Sequence, residues 1–101
     1  MNSNTKILNL LGLAFKAGKC ATGEELTLKK VRSQEASIVF IAADASENTK
    51  KKISDKCHYY DIPYSERFTQ AELSQAIGRK RTVVSIIDNG FAKKIRELLS
   101  N

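Results

Sequence analysis

The sequence contains one proline, five glycines and no tryptophan in 101 residues. So little Pro and Gly excludes a fibrous repeat and argues against a disordered chain. No apolar run approaches the roughly 20 residues that a membrane helix needs. The opening residues, Met1-Asn2-Ser3-Asn4-Thr5-Lys6, lack the charged start, apolar stretch and small-residue cleavage site of a secretory signal. A cytoplasmic location without a membrane partner is expected. Cysteine is scarce too. Cys20 and Cys57 lie far apart and form no CxxC pair, so in a reducing compartment they read as small hydrophobes.

Catalytic chemistry is equally thin. Cys20, Cys57 and His58 are three potential soft ligands, but without the spacing of a metal site. The single histidine, His58, has no Ser or Cys nucleophile motif around it. Gly12 to Lys19 has the flavour of a phosphate loop. Its spacing is wrong by one residue, however, and Cys20 stands where a Ser or Thr would hold magnesium. The segment also has a helical pattern. A noncatalytic protein is expected, with no metal, no cofactor and no small-molecule substrate.

What is present is a core and a charge. Hydrophobic residues make up 42% of the chain, and 17 Lys and Arg against 11 Asp and Glu leave a net charge of +6. A basic balance on a small domain favours a polyanionic partner, through phosphate neutralisation and counterion release. The length suits one domain over residues 1–101.

Two short apolar runs rich in β-branched residues, Ser37 to Ala43 and Thr82 to Ile87, read as central strands covered on both faces. Helical spacing surrounds them. Residues 4–17 place Ile7, Leu8, Leu11 and Phe15 on one stripe and end at Gly18. Thr22-Gly23-Glu24-Glu25 and Thr69-Gln70-Ala71-Glu72 have the Thr-x-x-Glu form of a capping box. The first predicts a helix to about Arg32, and the second a short helix with Leu73, Ala76 and Ile77 inward. Residues 46–60 predict a helix through Ile53, Cys57 and Tyr60. A last helix, starting after Asp88-Asn89-Gly90, carries Phe91, Ile95, Leu98 and Leu99. Ile62-Pro63-Tyr64 fits an edge strand, since Pro cannot donate to a central ladder. Cys20-Ala21 adds a further short strand. The resulting order, α-β-α-β-α-β-α-β-α, predicts a sheet sandwiched between helices.

Two places stand out as binding features. The start of the second helix combines Gly23 with backbone N–H groups and nearby cations: Lys19, Lys29, Lys30 and Arg32. A helix N-terminus attracts phosphate, and flanking cations strengthen that attraction. Glu24 and Glu25 would repel phosphate, but a carboxylate can accept from base amino or imino groups. The competing reading is an ordinary capped helix with acidic first-turn residues. The other place is Gly78-Arg79-Lys80-Arg81-Thr82, the loop before the last strand. Arg holds phosphates bidentately and stacks on exposed bases, although a solvated charged turn remains an alternative. Lys50, Lys51, Lys52 and Lys56 read as a solvated helix surface, because a helix spreads consecutive residues around its axis.

These residues carry a resemblance. The ordered marks are Leu11-Gly12-Leu13-Ala14, Ala17-Gly18-Lys19, Thr22-Gly23-Glu24-Glu25, Ile38 to Ser46, Asn48-Thr49, Cys57, Ile62-Pro63-Tyr64, Leu73 to Gly78 and Asp88 to Ala92. Together they resemble the kink-turn-binding ribosomal protein family, particularly its small bacterial YlxQ-like members, over nearly the whole chain. The resemblance implies an α/β/α sandwich with a mixed four-stranded sheet. It also implies binding of kink-turns, sharply bent RNA duplexes with tandem sheared G·A pairs, and a natural setting on ribosomal RNA or the ribosome. In the family the turn and first residues of the second helix enter the groove at those pairs. The loop before the last strand covers an extruded base.

Carried over by position, the family's glycine falls on Gly23, its helix lysine on Lys29 and the lysine near the preceding strand on Lys19. Its Asn-Glu pair falls on Glu25 and Leu26. Glu25 retains an acceptor for guanine, whereas Leu26 has none. The loop departs as well, with Arg79, Lys80 and Arg81 where archaeal relatives have apolar residues. The expected RNA-binding set is Lys19, Thr22, Gly23, Glu24, Glu25, Lys29, Gly78, Arg79, Lys80, Arg81 and Thr82. Two alternatives stand beside kink-turn recognition. One is a generic electrostatic RNA binder, and the other is a protein-interaction adaptor on the same fold.

Overall fold

A computed structural model describes residues 2–100 of the chain. The elements follow as α1 (Ser3–Lys16), β1 (Cys20–Thr22), α2 (Glu24–Arg32), β2 (Ile38–Ile41), α3 (Glu47–Tyr60), β3 (Tyr64–Ser65), α4 (Gln70–Ile77), β4 (Val83–Ile86) and α5 (Asn89–Leu99). The strands form one four-stranded sheet in the order β1-β4-β2-β3. β4 is antiparallel to both β1 and β2, and β3 is parallel to β2. The sheet is therefore mixed, as expected.

The two apolar runs are its centre, and alternation divides their side chains between two helical layers. Ile38 and Phe40 of β2, with Val84 and Ile86 of β4, pack against Ile7 and Leu11 of α1, Leu73 of α4 and Ile95 of α5. Val39, Ile41 and Val83 pack against Leu28 and Val31 of α2 and Ile53 and Cys57 of α3. This is an α/β/α sandwich, with α1, α4 and α5 on one face and α2 and α3 on the other. One polar pair sits inside it. The Thr27 hydroxyl donates to Ser85 Oγ at 3.4 Å, and Ser85 Oγ donates to the Ala21 carbonyl at 2.8 Å. These bonds join α2, β4 and β1 under the site described below, and they satisfy two buried hydroxyls that would otherwise be costly.

Close packing of α1 on α4 depends on Gly12. A Cβ there would lie 2.7 Å from the Ala76 carbonyl oxygen, so any larger residue pushes the two helices apart.

Three expectations need correction. Thr22 caps no helix: it is the last residue of β1, paired opposite Val84, and the N-cap of α2 is Gly23, which has no side-chain cap. Sheet pairing takes Thr22 before the helix can. The third strand is Tyr64–Ser65 rather than Ile62-Pro63-Tyr64. The Ile62 N–H bonds back to Cys57 O and closes α3, while Pro63 contributes only its carbonyl, accepting from Val39 N at 3.0 Å. The last helix starts earlier than expected: Asp88 is its N-cap, accepting from Phe91 N, so Asn89 and Gly90 lie in its first turn. By contrast, Thr69 and Glu72 form the predicted capping box.

Candidate functional site

Strand directions decide where the site lies. β1, β2 and β3 run the same way, because β1 and β2 both oppose β4 and β3 parallels β2. Their C-terminal ends share one end of the sheet. The helices that follow them, α2, α3 and α4, all start there. Three positive helix ends thus converge. Between them and the loop 78–82 lies a cleft of about 490 Å³, lined by residues that include Gly23, Glu24, Asp44, Ser46, Thr49, Gln70, Lys80, Arg81 and Thr82.

Two of the three helix starts are capped. Ser46 accepts from Thr49 N at the start of α3, and Thr69 accepts from Glu72 N at the start of α4. Asp44 also accepts from Gln70 N at 2.8 Å. α2 differs. Gly23 takes φ +93° and ψ 159°, a region open essentially only to glycine. Its N–H donates to Val83 O at 2.8 Å, which fastens the turn to the sheet. The first N–H groups of α2 then have no side-chain cap, the arrangement that accepts an external anion or carbonyl.

The candidate residues divide by placement. Gly23, Glu24, Lys80, Arg81 and Thr82 meet at the cleft. Thr22 borders it, accepting from Arg81 Nε at 3.2 Å. Gly78 ends α4 in the left-handed region, donating to Ser74 O. Arg79 turns the other way, its guanidinium 5.7 Å from the centre of the Phe15 ring on α1. Glu25, Leu26 and Lys29 are exposed on α2; their i, i+4 and i, i+3 spacings put all three on one face. Lys19 is not brought to the cleft. Its carbonyl accepts from Ile87 N at the far end of β1, about 13 Å from Gly23 by strand rise.

Glu24 is already committed. Its Oε1 lies 2.7 Å from Lys52 Nζ, and its Oε2 accepts from Thr49 Oγ1 at 3.4 Å. That ion pair joins α2 to α3 and gives Lys52 a partner the sequence did not suggest. Glu25 is the exposed carboxylate of this turn. Thr82 Oγ1 accepts from Gln70 Nε2 at 3.2 Å, a contact that binds the loop to the start of α4.

Charge selects none of Asp44, Ser46, Thr49 and Gln70, yet all four line the cleft. Small polar residues at helix starts look like ordinary caps in a sequence, and all four do take part in hydrogen bonds at helix starts, Ser46 with Thr49 and Asp44 with Gln70. Only the parallel arrangement of three strands brings them together.

The two cysteines lie on opposite faces of the sheet, Cys20 against the α1 layer and Cys57 within the α3 layer. Burial pushes the Cys20 thiol up to about 12 and the Cys57 thiol up to about 11. Both are therefore protonated and poorly nucleophilic near neutral pH. The His58 ring makes a 3.1 Å hydrogen bond with Tyr64 OH. No group of three or more His, Cys, Asp or Glu among the described residues gathers closely enough to hold a metal ion. No helix among them is long and apolar enough to cross a membrane.

An α/β/α sandwich with a basic loop beside an uncapped helix start defines a class of protein, and sequence comparison identifies it. The chain belongs to the ribosomal protein L7Ae/L30e/S12e/Gadd45 family, whose model matches residues 5–96. Among its relatives is the RNA-binding protein YlxQ of Enterococcus faecium, 57% identical over 94 residues, covering 93% of this chain and 91% of that protein. The RNA-binding protein YlxQ of Bacillus subtilis (strain 168) is 46% identical over 91 residues, covering 89% of this chain and 91% of that protein. Within the family the chain is thus similar to the bacterial YlxQ proteins. Solved structures are similar as well. A protein of unknown function from Bacillus halodurans C superposes with a TM-score of 0.91 at 39% identity, over 95% of this chain and 98% of that one. The Giardia lamblia 15.5kD RNA binding protein superposes with a TM-score of 0.82 at 22% identity, over 97% of this chain and 85% of that one. This last likeness concerns the fold alone.

Proposed function

We propose that this chain is a noncatalytic, cytoplasmic RNA-binding protein that recognises kink-turn RNA and holds it bent, in association with the ribosome or its RNA. The observation that carries the reading is the junction of the uncapped α2 start at Gly23 with the cationic loop 78–82 across one cleft. The names and high identity of the two YlxQ relatives support the RNA-binding part. The family resemblance supports the kink-turn part.

The mechanism is population shift. A bend that crowds phosphates is populated only part of the time in free RNA, and a ligand specific for the bent state draws the population to it. Gly23 has no side chain, so the backbone can approach a groove closely. Glu25, exposed and on the same face as Lys29, accepts from guanine edges. Lys80 at the cleft and Lys29 on the exposed face of α2 neutralise phosphates there, and Arg79, turned toward Phe15, those on the α1 side of the loop. Lys19, at the far end of β1, reaches only a second stretch of backbone.

One observation favours a second reading, a shape-blind electrostatic RNA binder. Leu26 is 44% exposed on the face that would meet the RNA, and it offers no acceptor for a second guanine. A single experiment separates the readings. The protein is titrated with a duplex kink-turn RNA and with the same RNA carrying Watson–Crick pairs in place of the G·A pairs, at about 0.15 M salt. Preference for the kink-turn by tenfold or more, about 1.4 kcal/mol, supports bent-RNA recognition. Equal binding leaves the electrostatic reading, and absence of binding to either leaves a protein-interaction adaptor.

A further inference from the structure

The loop 78–82 contains three consecutive cations, but the structure gives them different surroundings. Arg81 is held from two directions. Its backbone N–H donates to Ser74 Oγ at 3.0 Å, and its carbonyl accepts from the same hydroxyl at 3.3 Å. One serine of α4 therefore brackets both sides of a loop residue. The Arg81 guanidinium then reaches across to the end of β1, donating from Nε to Thr22 Oγ1 at 3.2 Å, while Nη1 donates to the Lys80 carbonyl at 2.8 Å. Two of the five N–H donors of an arginine are thus used inside the protein. Lys80 is exposed beside it, and its ammonium has no hydrogen-bond partner among the described residues.

We infer that Arg81 is a positioning residue rather than a phosphate contact: with Ser74 it latches the loop to the end of β1, setting where Lys80 stands relative to the start of α2. The latch has a backbone part, Ser74 to Arg81, and a side-chain part, Arg81 to Thr22. Thr22 directly precedes Gly23, so the loop and the bare helix start share one anchor. This deepens the RNA-binding reading and rests on it for its functional consequence. The latch itself is a property of the free protein. The fork geometry matters, since a lysine at position 81 keeps the charge and loses the planar set of donors.

The test compares Arg81→Lys, Arg81→Ala, Ser74→Ala and Lys80→Ala by RNA affinity across a salt series, and by backbone ¹⁵N relaxation of the free proteins. Ser74→Ala changes no charge. It should mobilise residues 79–81 in the free protein and weaken RNA binding by roughly three- to tenfold, the scale of one net hydrogen bond, with an unchanged salt slope. Arg81→Lys should bind as weakly as Arg81→Ala. Lys80→Ala should lower the salt slope by about one, the mark of a lost phosphate contact. Wild-type affinity in Arg81→Lys, or a loop as rigid in Ser74→Ala as in the wild type, would overturn the inference. If the wild-type protein binds no RNA, the function reading fails while relaxation still decides whether the latch exists.

Discussion

Two helices in this chain are announced by the same signature, Thr-x-x-Glu, and only one uses it. At the start of α4, Thr69 and Glu72 form a reciprocal capping box. At the start of α2, Thr22 belongs to β1, its hydroxyl accepts from Arg81, and Gly23 is the N-cap instead. The difference lies in what precedes each threonine. Phe68, before Thr69, is a buried anchor outside any strand, so Thr69 is free to cap. Before Thr22 run Cys20 and Ala21, paired opposite Ile86 and Ser85. A residue engaged in a ladder is held by its neighbours, and the helix must begin later. The outcome is a satisfied helix end at α4 and an open one at α2, and the open one lies beside the cationic loop. A capping motif that fails locally has become the chemical feature of the site.

That contrast can be broken in several ways. The largest effect belongs to Gly23→Ala. Its backbone conformation is strained for any residue with a Cβ, and we expect a loss of about 2 kcal/mol in urea unfolding. A loss near zero would mean that the turn relaxes readily and that the helix start is not preorganised. Thr69→Ala should come next, at about 1 kcal/mol, the usual value of a threonine cap. Amide exchange should show the loss as fraying confined to the first turn of α4. Thr22→Ala should be milder, about 0.5 kcal/mol for one partly exposed hydrogen bond, with amide protection in α2 unchanged. Fraying of α2 in that variant would show that Thr22 caps in solution and would erase the contrast. Glu25→Ala should be the mildest, within about 0.5 kcal/mol of wild type as for most surface changes. In kink-turn titrations, by comparison, it should weaken binding.

The sheet centre was legible in the sequence because its two strands are continuous β-branched runs, a pattern that survives almost any context. Most helices were legible from their apolar stripes, but their starts were less so: Asp88 caps α5 two residues before the expected start, and Ser46 caps α3 without a Thr-x-x-Glu signature to announce it. The sequence points to an edge strand a residue or two too early, since a two-residue strand has no periodicity to read and Pro63 is the strongest local signal. In the site, charge picked out the loop but not the division of labour within it. Arg79, Lys80 and Arg81 look alike in sequence. In the fold one lies over Phe15, one is exposed, and one is tied to Thr22 and Ser74. Lys19 shows the opposite difficulty. It lies four positions from Gly23 in sequence, but an extended strand carries it to the other end of the sheet.

By itself, the sequence determined which segments become buried strands, which become helices and how much positive charge the surface carries, because hydrophobic period and residue type act locally. Only the tertiary structure decided that three helix starts meet at one cleft, that Thr22 serves the sheet instead of a cap, that Glu24 is neutralised by Lys52, and that Arg81 is held inside the protein. Each of these depends on contacts between residues far apart in the chain, and strand direction and pairing set them.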